Sequence, residues 1–158
     1  MSKEPVGRGI LGVYETHLPV GDLSRSVAFY QDKLGLTLAT IIPARKIAFF
    51  WVGGKDQGML GLWENGSAPL SMTLHFAFRV TKEAVLNSIS TLKAAQIDPL
   101  GFNGENVTEP VVIGWMPAVS IYFKDPDGHS IEMLHLLEDN PDPKFGVQSY
   151  SKWLEQNG

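Results

Sequence analysis

The chain has 158 residues, no cysteine, and 13 lysines and arginines against 17 aspartates and glutamates, a formal net charge of −4. That length suits one domain, or two small modules sharing a core, and is enough to bury about two thirds of the unfolded surface. Disulfides, thiolate nucleophiles and zinc fingers are excluded; the scattered charges do not form a nucleic-acid footprint; and the longest apolar run, IAFFWV, is too short to cross a bilayer.

Residues 1–11 read as an N-terminal extension, and the start MSKEPVGRG lacks the apolar stretch of a signal peptide, so a cytoplasmic location is expected. The first strand falls in GVYETHLPV, where alternation puts Val13, Glu15, His17 and Pro19 on one face. An amphipathic helix follows, with Asp22 as its cap, a stripe of Leu23, Val27, Tyr30 and Leu34, and Gly35 as its end. Three strand-like runs come next, LTLATII, KIAFFWV and MLGLWE, the last two joined by a GGKDQG turn.

The pattern then repeats. SMTLHFAFRV reads as a strand with Thr73, His75, Ala77 and Arg79 on one face, and Leu74, Phe76, Phe78 and Val80 on the other. Thr81 caps a second helix with the stripe Val85, Ile89, Leu92 and Gln96. His75 follows His17 by 58 residues and Thr81 follows Asp22 by 59, so two features stay in register between the halves. GFNGENVTEPVVIGWMP reads as a loop able to cover a cavity, with a weak strand in NVTEPVVI. A hairpin of AVSIYF and HSIEML around DPDG completes the second half, and residues 138–158 read as an appendage ending in a short helix.

The fold expected is therefore α+β: two tandem βαβββ modules, about 12–66 and 71–137, forming one domain over 12–137 with a curved mixed sheet around a concave site. Glu132 stands in the middle of an otherwise apolar strand, where an unpaired carboxylate is costly unless it faces water or a cation. If the apolar faces of the fifth and last strands pack under the helices, His75 and Glu132 fall on the other face. With His17 they would form a two-histidine, one-carboxylate set suited to a divalent transition metal with open positions. Taken singly, a strand histidine such as His17 or His75 is more often a satisfied core residue than a ligand; the two at repeat-equivalent places, with the glutamate, reverse that. His129 reads as a solvated turn residue and His135, of opposite strand parity to Glu132, as structural.

The segments THLPVGDLSRSVAFYQDKLGL, LHFAFRV and YFKDPDGHSIEM, in this order, resemble the vicinal oxygen chelate superfamily, which includes glyoxalase I, fosfomycin-resistance proteins, bleomycin-resistance proteins and extradiol dioxygenases. The resemblance covers about 12–137 and is most specific at DPDG and the glutamate after it. It implies metal ligands at His17, His75 and Glu132, one divalent ion (Mn, Fe, Ni, Co or Zn), chelation of two neighbouring oxygens of a small substrate, and a homodimer. Tyr122, as a catalytic group, and Ser120, in substrate binding, would stand beside Glu132; a tyrosine satisfied by the backbone is the alternative. Trp115 is a further substrate-binding candidate.

Within the superfamily, glyoxalase I proteins add a glutamate from the last strand of the first module. Aligning QGMLGL with DGHSIE sets Leu62 opposite Glu132, leaving Glu64 either as a displaced ligand or general base, or as an exposed strand end. Fosfomycin is disfavoured as substrate because MLHLLEDNPD offers no arginine and Pro19 replaces a threonine of the thiol-transferring forms. A metal-free, drug-binding protein of the bleomycin-resistance kind is the competing expectation, compatible with the acidic charge and with Trp63 and Trp115.

Overall fold

The computed structural model describes residues 11–64 and 72–157; most of the N-terminal extension and the link between the modules lie outside them. The chain forms two compact units, Met1–Leu70 and Ser71–Gly158.

The first unit contains β1 (Glu15–Val20), α1 (Leu23–Ala28), β2 (Thr37–Ile42), β3 (Ile47–Trp51) and β4 (Met59–Glu64). Its sheet has the order β1-β4-β3-β2, with β1 parallel to β4 and the other pairs antiparallel. Asp22 caps α1 as expected, its Oδ1 accepting the Arg25 amide at 2.8 Å. The helix then widens into a π turn over Phe29–Lys33, in which the Leu34 amide reaches back to the Phe29 carbonyl at 3.0 Å. The wider turn buries both Phe29 and Tyr30, and the expected stripe changes to Ser26, Phe29 and Tyr30, with Leu23, Val27 and Leu34 half-buried. Beneath α1, alternation places Leu18, Val20, Phe50, Leu60 and Leu62 in the core.

The second unit contains β5 (His75–Arg79), α2 (Lys82–Leu86), α3 (Ser88–Ala94), β6 (Val111–Ile113), β7 (Ala118–Lys124), β8 (Ser130–Leu136), β9 (Val147–Ser149) and α4 (Tyr150–Asn157). Its sheet order, β5-β8-β7-β6-β9, repeats the first unit's and adds one strand. Thr81 caps α2 through Oγ1 and the Ala84 amide at 3.2 Å. Val85, Ser88 and Leu92 are buried, whereas Gln96 is exposed in the left-handed region at φ 58, so Ile97 ends the apolar stripe in its place. The helix-bearing face of the sheet buries Val119, Ile121, Phe123 and Ile131, each contributing about 1.5–3 kcal/mol on removal from water.

The α+β fold of two tandem modules is as expected, its strands forming two mixed sheets, one per unit; one expectation changes. Residues 138–158 are built into the second unit: β9 pairs with β6, and Trp153 is fully buried against Phe145 with ring centroids 4.8 Å apart. Three-residue strands give no readable alternation, which is why this segment read as an appendage. Among the described residues no helix is long and apolar enough to cross a membrane.

Candidate functional site

The β5–β8 and β7–β8 ladders put His75 beside Ser130, and Ala77 and Tyr122 beside Glu132, on the face away from the helices. Phe76 and Ile131 occupy the helix side, as the sequence alternation requires. Glu132 is only 5% exposed, and among the described residues no lysine or arginine pairs with it. Its Oε1 accepts the Tyr122 hydroxyl at 2.9 Å, and its Oε2 lies 3.4 Å from His75 Nε2.

His75 is oriented by its other nitrogen. Nδ1 lies 3.1 Å from the Ser130 carbonyl, which can only accept, so Nδ1 carries a proton and Nε2 faces Glu132. An imidazole nitrogen and a carboxylate oxygen at 3.4 Å suit a cation or proton between them. Two donors each about 2.1 Å from one metal stand roughly 3.0–3.4 Å apart at angles near 90–110°, so the pair fits a divalent ion without rearrangement. Burial, and then the Glu132 charge, push the Tyr122 phenol far above its ordinary value; it therefore stays protonated and acts as a fixed donor to Glu132.

A cavity of about 410 Å³ opens over this face, its polar floor formed by His75, Tyr122, Ser130 and Glu132 and its walls by Phe102, Ile113, Trp115 and Met116. Trp115 thus lines the site it was expected to line. Ser120 does not: it is fully buried, absent from the cavity lining, and its Oγ makes no hydrogen bond of good geometry among the described residues. Its effect on the Tyr122 phenol is a minor opposing one. Phe102 and Met116 were missed because they sit in irregular loops, where no periodicity marks a facing.

His17 belongs to the first unit. Its ring lies against Gly61, where an added Cβ would fall 2.5 Å from Nδ1 and displace the imidazole. The Trp63 indole donates to Nδ1, Glu15 Oε1 lies 3.3 Å from Nε2, and Phe49 presents an edge at 5.8 Å. Among the described residues no three His, Asp or Glu side chains form a group that could hold a metal. The structure therefore brings His75 and Glu132 together and shows His17 in its own surroundings.

Two readings are corrected. Glu64 stands on the helix side of β4, opposite in parity to His17. Its Oε1 takes Lys46 Nζ at 2.5 Å and its Oε2 accepts the Leu23 amide at the start of α1 at 3.0 Å. Lys46, and then the Leu23 amide, hold its carboxyl below the usual range, the opposite of what a general base needs. His129 is fully buried: its Nδ1 accepts the Leu74 amide at 3.0 Å and its own amide bonds Asp125 Oδ1 at 2.9 Å. The DPDG turn folds back on the entry to β5, which turn chemistry alone does not reveal.

Residues 12–133 match the family model described as Glyoxalase/Bleomycin resistance protein/Dioxygenase superfamily. The metallothiol transferase FosB of Staphylococcus epidermidis (strain ATCC 12228 / FDA PCI 1200) is 29% identical over 118 residues, 72% of this chain and 74% of that protein. An integron cassette protein from the mobile metagenome of Halifax Harbour sewage outfall superposes with TM-score 0.70 at 34% identity, covering 80% of this chain and 100% of the other. The fosfomycin resistance protein FosX of Listeria monocytogenes gives TM-score 0.58 at 27% identity over 78% and 90% of the two chains. A structure of that FosX is a complex with Mn(II) and sulfate.

Proposed function

The chain belongs to the Glyoxalase/Bleomycin resistance protein/Dioxygenase superfamily, and from that premise we propose that it is a divalent-metal-dependent enzyme acting on a small substrate through two neighbouring oxygens. One observation carries the proposal: a buried carboxylate oxygen and an imidazole nitrogen face each other at 3.4 Å on the floor of a cavity. His75 and Glu132 would hold the ion, and His17, from the same chain or a second copy, is the third ligand in this reading. Once bound, the ion supplies Lewis-acid stabilisation of charge developing on the substrate oxygens.

The remaining tasks fall to the chain itself. The Ser130 carbonyl orients the His75 ring, and the Tyr122 hydroxyl holds Glu132 Oε1, leaving Oε2, which faces His75 Nε2, as the oxygen that would bind the ion. Tyr122 is thus a positioning residue, and its raised phenol is a poor proton carrier near neutral pH. Isomerase, lyase, transferase and dioxygenase chemistry all use such a centre, and the metal's identity sorts them.

Elemental analysis of untagged protein, alongside His75→Ala and Glu132→Gln, tests the reading. One metal per chain, lost in both variants, is the expected result. No metal in the native protein, and no uptake of Mn, Fe, Ni or Zn, overturns it in favour of a metal-free small-molecule binder.

A further inference from the structure

One wall of the cavity is held from outside the stretch that the family model matches. The match ends at residue 133, and β9 and α4 lie beyond it. Ile113, Trp115 and Met116 line the cavity, with Gly114 between them, whereas residues 138–157 contribute nothing to the lining.

The C-terminal segment nevertheless grips β6 at both ends. At its start the Tyr150 amide donates to the Pro110 carbonyl at 2.9 Å, and Glu109 accepts the Ser151 amide and hydroxyl at 3.0 and 2.8 Å. At its end the grip is reciprocal: the Gly114 amide donates to the Gly146 carbonyl, and the Asp142 amide to the Gly114 carbonyl, each at 2.8 Å. The approach is so close that a Cβ on Gly114 would collide with the Asp142 carbonyl and fall 2.8 Å from Phe145 Cβ. The wall's own turn is weakly closed, its Met116 amide 3.4 Å from the Ile113 carbonyl, so the bonds from the C-terminal segment decide where Trp115 stands.

Asp142 gathers this grip. Its Oδ1 accepts the Lys144 amide at 3.0 Å, shaping the turn that presents Gly146, and its Oδ2 accepts Gln156 Nε2 of α4 at 2.9 Å. The helix is seated by Trp153, fully buried against Phe145, with Nε1 3.3 Å from Asp139 Oδ2. We propose that residues 138–157 form a brace that sets where the Ile113–Met116 wall stands, with Asp142 as the positioning residue that couples α4 to Trp115. The room above the His75–Glu132 floor is thereby set by a segment that can change while the floor stays the same. This holds whatever the floor binds.

Fluorine-19 NMR of the full chain carrying 5-fluorotryptophan follows the wall, with Trp115 assigned through Trp115→Phe, and hydrogen exchange follows the Gly114 amide. Asp142→Ala removes both side-chain anchors, Gln156→Ala cuts the tie to α4 alone, and Asp142→Asn keeps an acceptor and the shape. In Asp142→Ala the Gly114 amide should exchange about tenfold faster, the worth of one hydrogen bond. The Trp115 resonance should shift while that of Trp51, in the first unit, stays in place. Gln156→Ala should give a smaller shift of the same kind, and Asp142→Asn should restore most of the native signal. A Trp115 resonance unmoved in Asp142→Ala overturns the proposal, as does a change in all four tryptophans together, the sign of general loosening. Should Asp142→Ala fail to fold, Gln156→Ala decides by the same two signs.

Discussion

The Trp63 indole N–H donates to His17 Nδ1, and Trp63 occupies in the first unit the rung that Glu132 occupies in the second. His17 pairs with Gly61 as His75 pairs with Ser130, and two residues on stand Trp63 and Glu132. On the equivalent rung the second unit thus has a carboxylate and the first unit an indole. An indole nitrogen only donates, so His17 Nδ1 accepts and the ring proton is on Nε2, facing Glu15. Coordination through Nε2 requires the proton to move to Nδ1 and the indole bond to break. Trp63→Phe removes that competing bond and should tighten metal binding about two- to tenfold, the worth of one hydrogen bond. Metal titration with nitrogen-15 NMR of the histidine rings checks it: the native His17 tautomer should switch on loading, and unchanged affinity in the variant would remove Trp63 from the site.

The same register shows what could and could not be read from the sequence. His75 and Glu132 were legible because strand alternation is strict and the DPDG turn fixes the last hairpin. Aligning the glycines that end the two turns sets Leu62 opposite Glu132. The ladders show the halves one residue out of that alignment, so Trp63 takes the rung and Glu64 faces the helix side. A one-residue slip inverts every facing in a strand, which is why a sound ligand pair could be read beside a misplaced base. His129 was misjudged for a different reason: its burial depends on Leu74, a contact distant in sequence.

Tyr122→Phe deletes the hydroxyl that holds Glu132, and metal affinity should fall about tenfold, as for other groups that orient a ligand. The raised phenol also gives a pH signature. A folded-state value above the unfolded one means stability is fully present below the ordinary phenol value of 10.0 and is lost as pH rises beyond it. Thermal melts of the native protein should therefore decline above about pH 10, and those of the variant should decline less. Identical alkaline limbs would show that the phenol does not carry this loss.

Glu64→Gln should leave metal content and ligand affinity unchanged, because Glu64 serves α1 and Lys46 on the helix side of its sheet. Its carboxyl is held low, so it contributes stability above the unfolded value of 4.5 that is lost as pH falls. The variant should melt slightly lower at neutral pH and show a flatter acid limb. A loss of activity larger than this small change in melting temperature would return Glu64 to the catalytic machinery.

Glu132→Gln sets stability against function. Among the described residues the almost fully buried native carboxylate meets a hydroxyl and an imidazole and no lysine or arginine, so no fixed cation offsets its burial. Glutamine keeps the acceptor for Tyr122 and removes the charge. The metal-free variant should be about 1–2 kcal/mol more stable than metal-free native protein, by denaturant melts. On adding Mn(II), the native protein should rise in melting temperature with metal concentration, as any ligand that binds only the folded state dictates, and the variant should not. A destabilised metal-free variant would mean that the charge is already compensated within the fold, and the case for a cation at Glu132 would lose its energetic basis.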